Sequence, residues 1–180
     1  MNARVTHLPV TLVEPGTVKL ERLLPGPVER VWAYITESDK RAKWLAAGEF
    51  ELRIGGKVRL EFDNSRLPNE KPIAAKYQEA GKGQFEGVIT RLEPNRLLSH
   101  TWPWKSEQSE VTYELTPRGK DVLLTIVHRK LGSGLVPSIM SGWDVHTGIL
   151  ADVLSGAEPR PFWQTHSRLE KEYAEHEVQR

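Results

Sequence analysis

SGWDVHTGILADVLSG, residues 141–156, decides how this chain folds. Helical spacing puts Trp143, His146, Leu150, Val153 and Leu154 on one stripe, while Asp144, Gly148 and Asp152 fall away from it. Gly156 supplies a stop signal. The stripe is greasy except for one histidine in its middle, so it needs an apolar partner, and His146 is either packing or chemistry.

The partner comes from the middle of the chain, where the period changes from 3.6 to 2. In GEFELRIGGKVRLEFD, residues 48–63, Phe50, Leu52 and Ile54 alternate with charged residues, Gly55 and Gly56 turn the chain, and Val58, Leu60 and Phe62 alternate again. This predicts an antiparallel hairpin with one dry face. Four more strands are expected over residues 84–92, 96–104, 110–116 and 122–129, with turn chemistry between them. Upstream, residues 17–24 alternate as a strand, with Arg22 on the side of Val18 and Leu20, and a short edge strand is expected across 10–13. Pro27 opens a helix carrying Val28, Val31, Trp32 and Ile35, and SDKRAKWL, residues 38–45, forms a second short helix that ends near Trp44. The insertion at 63–83 is expected to hold a short helix over 72–80. Residues 161–177 form a helical tail with Phe162, Leu169 and Tyr173 on one stripe. The domain reading is an arm at 1–16, one domain at 17–157 and a tail at 158–180. Strands joined by short turns make one antiparallel sheet of six to seven strands, and the long helix is the element with the length and stripe to cover its apolar face.

Composition narrows the functions. The 180 residues are 38% hydrophobic, enough for one core. Twenty-five basic side chains against 24 acidic ones leave a formal charge of +1, with no stripe of Lys and Arg to track phosphates, so no nucleic-acid partner is expected. The absence of cysteine excludes disulfides and thiolate metal sites. No signal peptide and no run of about 18 apolar residues is present, so no membrane insertion is expected and a cytoplasmic location is the default. Six histidines show neither the i, i+4 pairing of a helical zinc site nor HExxH, the glycine pairs lack a following GK[ST], and GxSxG does not occur. No metal and no cofactor is expected.

The segments PVERVWAYITESDKRAKWL, EFELRIGGKVRLEF, GVITRLEPNRLLSHTW and GWDVHTGILADVL, in this order, resemble the SRPBCC (START/Bet v 1-like) superfamily, and within it the group named after the C-terminal domain of the activator of Hsp90 ATPase. EPNRLLSHTW before two further strands, with GW opening the last helix, is the most specific part. The likeness runs from about residue 17 to 156. It implies an α+β helix-grip fold: a curved antiparallel sheet around a long C-terminal helix, two short helices after the first strand, and a cavity between sheet and helix for an apolar ligand. The Hsp90 activator has a separate N-terminal domain for which this chain leaves no room, so contact with an Hsp90-type chaperone is not carried over from the name. Function has to be argued from the site.

Strand parity names the candidate lining. Leu98, His100, Trp102 and Trp104 share one face, and Val111, Tyr113 and Leu115 share one on the next strand. With Phe62 and Phe85 pointing inward, Trp44 and Trp143 at the ends and His146 and Leu150 on the helix, the interior reads as an aromatic-walled groove with a few polar tips. The same rings also suffice as a plain core, since each removes about 150–250 Å² from water. His146 is open to three readings: a core histidine bonded to Tyr113 or His100, a group that orients a ligand, or a base. Asp144 cannot orient it, being two positions away on the helix, so no catalytic dyad follows; His146 and His100 are weak catalytic candidates. Three functions compete: a binding protein for a small hydrophobic or aromatic molecule in stress response or transport, a cyclase or isomerase using a cavity histidine, and an interaction module acting through its outer sheet and tail. The apolar side of the tail packs either on its own domain or on a second copy in a homodimer.

Overall fold

The computed structural model describes residues 10–104 and 107–178, and the side chains of all of these except 104, 107 and 176–178. Seven antiparallel strands form one curved sheet: β1 (Thr11–Glu14), β2 (Thr17–Pro25), β3 (Lys57–Asp63), β4 (Lys82–Glu93), β5 (Leu97–Trp104), β6 (Glu107–Arg118) and β7 (Asp121–Arg129). Their order in space is β1-β2-β7-β6-β5-β4-β3. Helices α1 (Val28–Thr36) and α2 (Ser38–Arg41) follow β2, and α3 (Val136–Ser155) and α4 (Phe162–Val178) follow the sheet. Alternation in the sequence became sidedness: Val122, Leu124, Ile126 and His128 of β7 are buried in step, as are Val111, Tyr113 and Leu115 of β6. α3 lies over that inner face and ends where Gly156 takes a left-handed φ of 71°, a conformation glycine adopts without a Cβ clash.

The hairpin is present in a less regular form than its alternation predicts. Residues 47–51 run along β3 through three backbone bonds, from Glu61 N–H to the Ala47 carbonyl, from Arg59 to Glu49 and from Glu51 to Lys57, but they form isolated bridges and no strand. The turn opens at Leu52 instead of Gly55 and folds over to Ile89, which exchanges backbone bonds with Gly55 and Gly56. Leu52 and Ile54 are therefore exposed, and only Phe50 of the expected trio packs on the core. Arg41 holds the other edge of the segment. Its buried guanidinium donates to the carbonyls of Ile35, Thr36, Ala46 and Gly48, and stacks 3.7 Å over the Phe50 ring. The Ala46 and Gly48 carbonyls alternate with those of Ala47 and Glu49, which accept from β3, so the segment is bonded along both edges. Gly48 has φ 112°, and a Cβ there would lie 2.2 Å from the Arg59 carbonyl oxygen. Gly48→Ala is expected to cost about 2–3 kcal/mol in urea denaturation, from strain and overpacking together; an unchanged midpoint would show that this segment relaxes freely.

Two further expectations change. The insertion carries only 3₁₀ turns, at Asn64–Arg66 and Ala75–Tyr77, and no helix over 72–80; a helix that short does not sustain itself on propensity. The side of α3 expected to face away is buried as well. Asp144 is 2% exposed, Asp152 pairs with Arg160 at 2.7 Å, and a Cβ on Gly148 would lie 2.7 Å from the same guanidinium. α4 and the segment leading into it cover that side: Phe162, Trp163, Leu169 and Tyr173 are all buried. The apolar stripe of the tail thus packs on its own chain, which removes the reason given for a second copy there.

Arg22 explains how α3 is fixed. Strand parity turns it inward, where its guanidinium meets Asp144 Oδ1 at 3.0 Å, the Asp144 carbonyl at 3.0 Å and Thr147 Oγ1 at 2.9 Å. Tyr173 donates its hydroxyl to Asp144 Oδ2 at 2.7 Å and accepts from the Val10 N–H at 3.0 Å. One buried carboxylate thereby ties β2, α3, α4 and the start of β1 together.

Candidate functional site: a ring-sized cavity

Between the β3–β5 end of the sheet and the first half of α3 lies a cavity of about 170 Å³. Its walls are Leu45, Phe62, Trp102, Ile139 and Trp143, with Gly81 and Gly142 where the backbone comes close and Asn64, Ser138 and His146 as polar tips. Phe62 and Trp102 meet at 5.7 Å between ring centroids, and Trp102 and Trp143 meet edge to face at 5.5 Å. Leu45 and Phe62 also border an outer groove of about 410 Å³.

The expected site residues separate into layers. Phe62, Trp102, Trp143 and His146 line the cavity. Behind them, Phe85 packs on Trp102 at 4.9 Å, His100 stacks on Trp102 at 5.9 Å, and Tyr113 meets Trp143 edge to face at 5.9 Å. Trp44 is fully buried beside α1, donating its indole N–H to the Tyr34 carbonyl at 2.8 Å, and Leu150 lies in the core farther along α3. The side chain of Trp104 lies outside those described.

His146 finds a partner other than the two anticipated. Its Nδ1 lies 2.6 Å from the Trp44 carbonyl oxygen. Burial holds the ring neutral, with its pKa pushed down to about 4. A neutral ring bonded to a carbonyl through Nδ1 carries its proton there, which leaves Nε2 as a bare acceptor. His100 follows the same pattern: Nδ1 donates to the Thr101 carbonyl at 2.9 Å, burial lowers its pKa to about 4, and Nε2 is buried without a partner among the described residues. It sits behind Trp102 and not in the cavity wall.

Sequence reasoning missed the group that holds Trp143. The Trp143 indole N–H donates to His128 Nδ1 at 3.1 Å, His128 Nε2–H donates to Ser109 Oγ at 2.9 Å, and Ser109 donates to the Trp102 carbonyl at 2.8 Å. Every donor in this relay is satisfied only when His128 is neutral, and burial lowers its pKa to about 3. The parity of β7 already placed His128 beside Ile126, so the signal was present. Asn64 had none, because it lies just past the last alternating residue of β3.

The geometry has relatives. A family model described as activator of Hsp90 ATPase homolog 1-like protein matches residues 25–155. The solution structure of the protein encoded by BPP1335 from Bordetella parapertussis is 34% identical, covering 97% of this chain and 94% of that one with a TM-score of 0.76. CalU16 from Micromonospora echinospora is 19% identical over 96% of this chain and 97% of its own, with a TM-score of 0.66. DynU16, from the dynemicin biosynthetic locus, is 21% identical over 82% of this chain and 51% of its own, with a TM-score of 0.62. These last two share the fold alone. Among curated proteins, none matches the chain. No helix among the described residues is long and apolar enough to cross a membrane. With the matched model spanning most of its length, and the seven-stranded sheet wrapped on α3, the chain belongs to the activator of Hsp90 ATPase homolog 1-like family within the helix-grip fold.

Proposed function

We propose that this protein binds a small, largely apolar ring compound in the cavity between the sheet and α3. One observation supports the reading: a half-open cavity of about 170 Å³, walled by three aromatic rings held in place by their own contacts, enters between the sheet and α3. An apolar cavity of about 150 Å³ is enough for benzene, whereas drug-sized ligands need about 300–1,000 Å³. That DynU16 belongs to a biosynthetic locus accords with a small-molecule ligand. Use of His146 as a general base is disfavoured by its pKa of about 4, far from neutrality, and by the lack of any second titratable group in the cavity wall. Contact with Hsp90 would rest on the family description alone and forms no part of this reading.

Gly142 gives the test. It lines the cavity from within α3, and a Cβ added there meets nothing within 4 Å. Gly142→Leu should fill the space and raise helix propensity, gaining about 0.5–1 kcal/mol of stability. Toluene should raise the melting temperature of the native protein and leave that of Gly142→Leu unchanged. Equal shifts in both proteins would place the binding elsewhere, and no shift in either would remove the reading.

A further inference from the structure

At about 170 Å³ the inner cavity holds one ring and little else, well short of the roughly 300–1,000 Å³ of most ligand sites. The outer groove of about 410 Å³ adjoins it, and Leu45 and Phe62 line both spaces. These two side chains are therefore the partition. Leu45 is buried in the core, but Phe62 is only partly buried, at the end of β3 where the strand passes into the 3₁₀ turn at Asn64–Arg66. Its cross-strand partner is Gly83, which also lines the groove, so no facing side chain props the ring from that strand. Phe62 is the part of the partition with room to yield. Beyond it the groove has an apolar stretch at Ala42, Ala46 and Ala47 and a polar rim, where Asp63 pairs with Arg66 at 3.1 Å.

Resting on the cavity-binding reading above, we propose that the two spaces form one bipartite site, with Phe62 turning aside between them, and that its ligand is an aryl-alkyl compound. A single ring fills the inner cavity, and a chain of about three to five carbons runs along the groove to an uncharged polar end such as a hydroxyl, which brings the occupied space into the range of an ordinary ligand site. The ring is removed from water against Trp102 and Trp143. Each methylene laid on the alanines then adds about threefold to fourfold in affinity, the ratio that burying one CH₂ gives. The rim sets the end group: Asp63 and Arg66 already neutralise each other, and Glu61 on the same rim repels an acid.

The test is calorimetric titration of the full chain with toluene, benzyl alcohol, 2-phenylethanol, 3-phenylpropanol and 4-phenylbutanol; across the alcohols the ring and hydroxyl stay constant while the chain lengthens. Affinity should rise about threefold per methylene, and by at least about tenfold from benzyl alcohol to 4-phenylbutanol. Ala42 is half-buried and lines the groove but not the cavity, so Ala42→Phe fills the groove alone. In that variant benzyl alcohol should keep its affinity to within about twofold, and the rise with chain length should disappear. A second readout needs no variant. Ala42, Ala46 and Ala47 line the groove and no alanine lines the cavity, so in protein with labelled alanine methyls 4-phenylbutanol should shift those three resonances and benzyl alcohol should leave them unmoved. Toluene binding with alcohols that bind no better as the chain grows, a rise that survives in Ala42→Phe, or alanine methyls that ignore 4-phenylbutanol would overturn the bipartite site and leave the cavity reading standing. Binding of neither toluene nor any of the alcohols would overturn both.

Discussion

Asp144→Ala is expected to lose about 3–5 kcal/mol of stability, the range found when one partner of a buried ion pair is removed and the other stays behind. That is a large part of the roughly 5–15 kcal/mol that holds an ordinary domain together. The reason is geometric. Arg22 is 2% exposed, and the carboxylate answers it at 3.0 Å while accepting the Tyr173 hydroxyl at 2.7 Å. Without the carboxylate the guanidinium keeps Thr147 and a main-chain carbonyl but no counter-charge from residue 144. The loss should reach the tail, because Tyr173 anchors α4 through the same oxygen pair. Urea denaturation read by tryptophan fluorescence would report it, with Trp163 of α4 as a local probe. Replacing both partners, as Arg22→Met with Asp144→Leu, should recover much of the loss, since neither charge then remains to be desolvated. If the double variant is as unstable as Asp144→Ala alone, the pair is not the source of the effect.

Acid should unfold this protein early. His100, His128 and His146 are buried and neutral, with pKa values lowered by burial to about 4, 3 and 4. In the unfolded chain each returns to about 6.5. Folded values below unfolded values mean that the unfolded chain binds the extra protons, so stability is fully present above pH 6.5 and falls as pH drops towards 4. Near pH 5 unfolding takes up nearly three protons, a slope of roughly 4 kcal/mol per pH unit and a total loss of about 6 kcal/mol relative to pH 7. His166, also lowered by burial, acts in the same direction. The carboxylates with lowered values, Asp63, Glu86 and Asp152, stay ionised in both states across this window and do not contribute until lower pH. Urea midpoints measured from pH 7 to pH 5 should therefore fall steeply, and His128→Phe should reduce the slope by about one third. Stability that stays flat to pH 5 would contradict the burial of these rings.

Most of the sheet from residue 84 to 129 was legible because alternation there is broken at one register shift, between Ile89 and Arg91, and the turns at 94–96 and 119–120 carry their own chemistry. Parity put Trp102 on the inner face of its strand, and helical spacing put Trp143 on the stripe of α3 that covers the sheet. What the sequence concealed depends on distant partners. The run Phe50, Leu52, Ile54 looks like a strand, yet the turn folds over to bond Ile89 through Gly55 and Gly56 and takes Leu52 and Ile54 into solvent. Asp144 looked like the wet side of a helix because Arg22 stands 122 positions away and Tyr173 stands 29 positions away. Likewise the partner of His146 is a main-chain carbonyl, which no side-chain pattern advertises.

Bromobenzene soaked into crystals of the protein would show whether a ring enters the space between sheet and α3, because bromine can be located by its anomalous scattering without any assumption about the surroundings. One strong peak is expected in van der Waals contact with Phe62, Trp102 and Trp143, beside Gly142. An absence of scattering there, with those rings closed over the space at contact distance, would contradict it.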